Sequence, residues 1–575
     1  MSDAGEPKFS KEEFLKEESR QLRGTIAQEL AEGTDSFIED NAKLLKHHGT
    51  YQQDDKDHRK DKNVDGTRKG KAYMFMVRTR VPGGKVTAEQ FLAELDLCDR
   101  YGNGTLRITS RQGFQLHGVL KENLREAIRG INRTMLTTLA ACGDVERNVM
   151  CCPAPYNGNP VRREMQEMAD RVAAHLKPRT TGYYEIWLKD DAGNEFDAAE
   201  FKPVEEPIYG ARYLPRKFKT AFALPEDNCV ELYSNDLGFL AIVENESIVG
   251  YNVLVGGGMG VTPSAHKTFP AVAKRLAFIT PDQVLDVAES IVKVQRDFGN
   301  REDRKVARMK YLIANWGIPK FKEKVEEYYG RHLAEPNPID VTDVDDHIGW
   351  HDQGDGKLFL GVNIESGRVK DEGDLRIKSG LRMLLEKYRM RCRLTPLQSL
   401  ILCDVDPGER KTIERILTEH GIKLNGDLSL VRRYAIACPA FPTCGLSITE
   451  SERVMPQLLD GLEAEMARLG LAGERITVHM TGCPNGCARP YTPEIGLVGK
   501  TLGKYTIYLG GDATGTRIGF IYKDLVPFDE IVPALAPLLA WYKAERHNSE
   551  SLGDFCHRLG KDALVAHVER TALQA

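Results

Sequence analysis

Residues 72–120 read AYMFMVRTRVPGGKVTAEQFLAELDLCDRYGNGTLRITSRQGFQLHGVL, and the order of their patterns decides the fold. AYMFMVRTRVPGGKVT reads as a strand entering a Gly-Gly turn, TAEQFLAELDLCDRY follows with helical spacing, and GTLRITSRQGFQLHGVL is a second strand. The same order returns at 357–405, in KLFLGVNIESGRVKD and then DLRIKSGLRMLLEKYRMRCRLTPLQSLILCDV. Laid over one another, Phe75 falls on Phe359, Gly84 on Gly367, Arg107 on Arg393, Thr109 on Thr395, Gln112 on Gln398 and Val119 on Val405, which marks an internal repeat. The copies differ in charge: Arg78 faces Val362, Arg111 faces Leu397 and His117 faces Cys403. Duplication followed by loss of charge in one copy leaves a single site. Each copy precedes a longer mixed region, with strands in NCVELYSNDLGFLAIV and KYTIYLGG and a helix in SERVMPQLLDGLEAEMARLG, so an α+β architecture with pseudo-twofold symmetry is expected.

The 575-residue chain is too long for one compact core. A net charge of -5 gives no general attraction to nucleic acid or to an anionic membrane, and no apolar run approaches about 18 residues. With a charged amino terminus lacking an apolar core, these features predict a cytoplasmic chain. Residues 1–68 are polar and read as an arm, with a helix over KEEFLKEESRQLRGTIAQEL and then an aperiodic run, QQDDKDHRKDKNVDGTRKGK.

Among 12 cysteines, four stand in two pairs: Cys438 and Cys444 in ACPAFPTCGLS, Cys483 and Cys487 in TGCPNGCARP. Zinc sites usually draw such pairs from CxxC knuckles, whereas iron-sulfur clusters tolerate wider spacings, so the spacing favours iron-sulfur over zinc. Pro439, Pro442, Pro484 and Gly486 keep the backbone irregular, leaving N–H groups free to face sulfur. Cys98, Cys142, Cys229, Cys392, Cys403 and Cys556 read as buried structural thiols.

Positive charge enters several segments: Arg78 and Arg80 in VRTRVPGG, Arg107 and Arg111 in LRITSRQGFQLHG, Arg147 in DVERNVMCC, and Arg216, Lys217 and Lys219 in YLPRKFKT. Read as a strand, the last puts Lys217 and Lys219 on one face and Arg216 on the other. GNREDRKVARMKY adds Arg301, Arg304, Arg308 and Lys310. One such segment is explained by a solvated edge, whereas the set together points to a polyanionic ligand. The run LVGGGMGVT lacks the third glycine and the acidic residue of a dinucleotide site. Close approach to a flat cofactor and a tight turn both account for it.

The cysteine spacing, TGCPNGC, RITSRQGFQLHG, LPRKFKT and the duplicated unit resemble the sulfite and nitrite reductase haemoprotein family, from about residue 10 to near the end. The resemblance implies duplicated ferredoxin-like half-domains at 69–139 and 346–425, plus two larger mixed α/β domains. These are a first sirohaem- and substrate-binding domain at 140–345 and a [4Fe-4S]- and sirohaem-binding domain at 426–575. It implies a [4Fe-4S] cluster on Cys438, Cys444, Cys483 and Cys487, with Cys487 shared with the iron of sirohaem. That tetrapyrrole bears eight carboxylates, and Arg107, Arg111, Gln115, Arg216, Asn485 and Arg489 match its surroundings. Arg78, Arg147, Lys217 and Lys219 match the residues around the substrate anion.

The implied reaction is the six-electron reduction of sulfite to hydrogen sulfide, in sulfate assimilation and cysteine biosynthesis. Nitrite reduction is the alternative, although the nitrite branch typically lacks a lysine at the position of Lys219. No flavin or nicotinamide fingerprint is present, so electrons must come from another chain. LRGTIAQEL and HHGTYQQDDKDHR resemble the arm of haemoproteins that pair with an NADPH-oxidising flavoprotein, with ferredoxin the other candidate. An electron-transfer scaffold or a zinc-stabilised interaction protein would need no buried Arg78, Arg147, Lys217 and Lys219 beside the metal. His117 reads equally as a core or a catalytic residue.

Overall fold

The computed structural model describes residues 8–63, 67–180, 182–183, 187–189, 195–197 and 206–574. In the first repeat, Tyr73–Thr79 pairs antiparallel with Phe114–Val119, which pairs with Leu106–Ile108. The helix Ala88–Tyr101 starts at a capping box between Thr87 and Gln90. Its face of Phe91, Leu95 and Cys98 enters a core shared with Leu381, Leu384 and Leu385 of the second repeat's helix, Ile377–Tyr388. In that repeat Leu358–Val362, Leu400–Val405 and Cys392–Leu394 pair in the same order.

The halves also exchange strands. Arg368–Val369 pairs with Arg107 and Leu106 of the first sheet, and Lys85–Val86 pairs with Arg393 and Cys392 of the second. The turns that deliver them need glycine. Gly84 (φ +72°) and Gly367 (φ +73°) would place a Cβ 2.4 Å from Leu394 O and 2.0 Å from Ile108 O.

The larger regions repeat one another as well. Met150–Cys151, Thr220–Ala223 and Leu237–Glu244 run parallel, and Ser247–Val255 and Lys274–Ile279 complete that sheet antiparallel. Ala435–Ala437, Val478–Thr481 and Ile495–Thr501, then Lys504–Leu509 and Phe520–Pro527, repeat the pattern. Thr220–Ala223 and Val478–Thr481 are buried throughout, as central parallel strands are. The α+β fold with pseudo-twofold symmetry is therefore present. Among the described residues no helix is long and apolar enough to cross a membrane.

Four local expectations differ. GTLRITSRQGFQLHGVL, expected as one strand, is a hairpin of Leu106–Ile108 and Phe114–Val119. The helix expected over 11–30 is two, Lys11–Glu18 and Ile26–Ala31, because Arg20, Gln21 and Leu22 all take positive φ. The arm belongs partly to the body: Thr50–Asp54 is the outer strand of the first sheet, beside Tyr73–Thr79, and Lys16 is buried between Glu13 and Asp144. Residues 1–7 and 64–66 of the arm lie outside the described residues. YLPRKFKT is not a regular strand, since only Phe218 bridges, to Glu146, before pairing begins at Thr220.

Candidate active site

The four paired cysteines converge from two loops that follow the first two strands of the second large sheet. Cys438 follows Ala435–Ala437, and Cys483 follows Val478–Thr481. Cys438 and Cys483 are buried, Cys444 is half-buried and Cys487 is exposed. Burial, then the neighbouring Cys487, pushes the Cys483 thiol up to about 11, and burial followed by Cys487 and Cys483 lifts Cys438. Burial and Cys487 also raise Cys444. Such thiols ionise only when a metal's positive charge is supplied.

Four thiols brought together by two irregular loops are a donor set that fits an iron-sulfur cluster. Gly482 N donates to Cys438 Sγ (3.3 Å) and Asn485 Nδ2 to Cys483 Sγ (3.4 Å), the kind of contact that tunes a cluster's potential.

Loops from the other regions close on this one. Val261 N donates to Pro484 O (2.9 Å), and a Cβ on Gly486 would lie 2.8 Å from Met259 O. Ser110 Oγ reaches Cys487 O (3.4 Å), and Arg489 Nη1 donates to Ser110 O (3.1 Å). The glycine run is explained by protein contacts: a Cβ on Gly257 would sit 2.2 Å from Tyr233 O, and one on Gly258 would sit 2.4 Å from Arg308 Nη1. Arg308 pairs with Asp236 (2.6 Å), and Lys310 donates to the carbonyls of Gly258 (2.9 Å), Gly260 (2.8 Å) and Phe269.

Arg301 and Arg304, read with them as one basic segment, go elsewhere. Arg301 pairs with Glu13, and Arg304 with Asp144 (2.8 Å).

The expected cofactor residues divide into two groups. Arg107 is already paired, donating to Glu452 (2.8 Å), Gln115 (3.2 Å) and Ala437 O (2.8 Å), so with Gln115 it buttresses the strand leading to Cys438. Arg489 pairs with Glu231 (2.6 Å), and Arg216 lies 4.0 Å from Asp144. Arg111 donates to Asn235 Oδ1 (2.8 Å) and Asn148 O (2.6 Å). Burial, with Arg147 and Arg489 adding and Glu146 opposing, takes it down to about 9.

The expected substrate residues form a surplus of positive charge. Arg147 donates to Gly143 O (3.2 and 3.1 Å) and lies beside Tyr51, the residue just before the run without periodicity. Arg78 Nε is buried without a hydrogen-bond partner, and among the described residues neither Lys217 nor Lys219, both half-buried, makes a hydrogen bond or ion pair. Burial, then Arg147, Arg308 and Arg216, depresses Lys217 to about 7, while Cys487 opposes the shift. Burial, then Arg111 and Lys217, takes Lys219 well below its ordinary value. Cations so placed are stabilised by an anion, and a polyanionic cofactor with a small anionic substrate supplies that charge. His117 is buried with both ring nitrogens unpartnered, held neutral by burial and by Arg368 and Arg107.

Comparison with known proteins bears on these residues. The nitrite/sulfite reductase ferredoxin-like half domain matches residues 67–133 and 351–420. The nitrite and sulphite reductase 4Fe-4S domain matches 169–333, a stretch whose one cysteine is Cys229. The four paired cysteines stand in its symmetry-related counterpart. The sulfite reductase [NADPH] hemoprotein beta-component of Staphylococcus haemolyticus is 44% identical over 98% of this chain and 97% of its own. Its namesake from Geobacillus kaustophilus is 45% identical over 95% of each. The sulfite reductase [ferredoxin] of Synechococcus elongatus is 42% identical over 98% of this chain and 92% of its own. The structure of the Mycobacterium tuberculosis NirA protein superposes with a TM-score of 0.77 at 25% identity, covering 97% of this chain and 98% of that one.

Proposed function

The chain belongs to the nitrite and sulfite reductase family, and from that premise we propose that it is the haemoprotein component of an assimilatory sulfite reductase. It reduces sulfite to hydrogen sulfide by six electrons, with sirohaem and a [4Fe-4S] cluster as its cofactors. Cys438, Cys444, Cys483 and Cys487 would hold the cluster. Cys487, the exposed residue of the four, would be the ligand open to the tetrapyrrole. When bound, the coupled cofactors supply electrons one at a time to the sulfur atom.

The protein's own part is charge and protons. Arg78, Arg147, Lys217 and Lys219 would hold the sulfite dianion, and Arg111 and Arg216 would face the carboxylates of the tetrapyrrole. The observation that carries this reading is Lys217 and Lys219, half-buried among Arg111, Arg147 and Arg308, with no hydrogen bond or ion pair among the described residues. A lysine depressed to about 7 gives up its proton readily near neutral pH, as each S–O cleavage requires when oxygen leaves as water. The anion in turn raises the lysine's affinity for the next proton.

Electrons would arrive from a separate NADPH-oxidising flavoprotein, as the names of the Staphylococcus and Geobacillus relatives suggest. The ferredoxin-dependent relative makes ferredoxin the other donor to test. A reducing cytoplasm suits 12 cysteines, none of them in a disulfide.

The test is the visible spectrum of anaerobically purified protein, with acid-acetone extraction of pigment and turnover of sulfite and nitrite with an artificial donor. Sirohaem in the extract and preference for sulfite are expected. Iron without tetrapyrrole from cells that make sirohaem, or preference for nitrite, would overturn the assignment.

A further inference from the structure

A second cluster of metal-binding side chains lies apart from the four paired cysteines. Cys152, Asp227, Cys229 and His347 are all buried, and their ligand atoms lie within 4.8 Å of one another. They come from three segments: Cys152 directly follows Met150–Cys151, Asp227 and Cys229 sit in the loop after Thr220–Ala223, and His347 precedes Gly349–Asp352 of the second half-domain.

We propose that these four residues form a closed structural site for one zinc ion. Zn–S bonds of about 2.3 Å and Zn–N and Zn–O bonds of about 2.0–2.1 Å set the edges of a zinc tetrahedron at about 3.5 Å for sulfur to nitrogen and about 3.3 Å for nitrogen to oxygen. Cys152 Sγ lies 3.5 Å from His347 Nε2, and His347 Nε2 lies 3.3 Å from Asp227 Oδ2. The remaining measured edge, 2.8 Å from Cys152 Sγ to Asp227 Oδ2, is a thiol donating to a carboxylate, a contact that metal binding replaces.

The surroundings match a metal site too. Asp345 Oδ2 stands 3.3 Å from His347 Nδ1, within reach of the carboxylate-histidine hydrogen bond that orients a metal-bound imidazole. Arg162 Nη1 lies 3.0 Å from Cys152 Sγ and 2.8 Å from Asp227 Oδ2. Among the buried groups, two thiolates and one carboxylate set against a divalent ion and one guanidinium sum to zero charge, while the Asp345 carboxylate is open to solvent. With four protein ligands the coordination is complete, so the site is structural, and it ties the first large region to the segment that opens the second half-domain.

The test is metal analysis of the intact holoenzyme purified without chelators, together with zinc-edge X-ray absorption. About one zinc per chain in addition to the iron, in a mixed sulfur, nitrogen and oxygen shell, is expected. Cys229→Ser and His347→Ala should each lose the zinc and keep the iron and visible spectrum. Should either variant fail to fold, the wild-type absorption edge and zinc release by a thiol-modifying reagent still decide the matter. Three results would overturn the site: zinc below about a tenth per chain even after incubation with zinc salt, a Cys152–Cys229 disulfide by mass spectrometry, or zinc retained in both variants.

Discussion

Gln112 and Gln398 make the same pair of hydrogen bonds in the two halves of the chain. Gln112 donates to Cys151 O (2.8 Å) and accepts from Cys151 N (3.0 Å), while Gln398 donates to Ala437 O (3.0 Å) and accepts from Ala437 N (3.0 Å). Both take a positive φ, 53° and 65°. Each bolts its half-domain to the first strand of a large sheet, one strand leading to Cys152 and the other to Cys438.

Removing either glutamine should therefore cost stability alike and iron unequally. Gln112→Ala and Gln398→Ala each leave buried backbone groups short of a partner, at about 1–3 kcal/mol per group, read as a lower urea midpoint. Iron content should fall in Gln398→Ala, whose strand positions Cys438, and hold in Gln112→Ala.

Lys219→Ala should separate chemistry from cofactor loading. With sirohaem content near wild type, sulfite kcat/KM should fall about 100-fold or more, the range seen when a positioned proton donor or charge is removed. Equal loss of sirohaem and turnover would make Lys219 a cofactor ligand instead.

Lys217 predicts a pH dependence in the protein lacking its anions. Burial lowers its folded pKa to about 7, so between that value and 10.5 the unfolded chain binds more protons than the folded one. Stability should accordingly rise with pH across this window and be lowest below it, by at most about 1.4 kcal/mol per pH unit. Urea midpoints of cofactor-free protein at pH 7 to 10 measure the slope, and Lys217→Met should reduce it, leaving the part that Lys219 and Lys310, also lowered by burial, contribute.

Glu452 joins Arg107 (2.8 Å) to Arg368 (2.6 Å) at the strand exchange. Burial pushes its carboxyl up, yet Arg368 and Arg107 outweigh burial and hold it below the usual range. Its contribution is present at neutral pH and is lost as pH falls through the lowered value. Glu452→Gln leaves two arginines without their charge partner, a change that should destabilise the protein by about 3–5 kcal/mol in chemical denaturation.

The repeat was legible because strand alternation and helical spacing survive even where side chains diverge. Phe75 and Phe359, or Gln112 and Gln398, still occupy equivalent places. The exchanged strands were not, since two residues such as Lys85–Val86 carry no period. The cationic site was legible as composition but not as geometry: Lys217 and Lys219 stand in an extended segment and Arg107 answers to Glu452, a partner distant in sequence. Cys229 read as an isolated thiol because Cys152 and His347 approach it only through the fold.

The strand exchange also constrains the order of assembly during synthesis. The sheet built on Tyr73–Thr79 lacks its far edge until Arg368–Val369 has been made, so a ribosome must finish the first large region before the first half-domain can close. Until then Leu106–Ile108 presents an unpaired edge, the kind of surface that nascent chains pair wrongly and chaperones cover. A gene split between the two halves would yield two fragments, each missing a strand that only the other can provide.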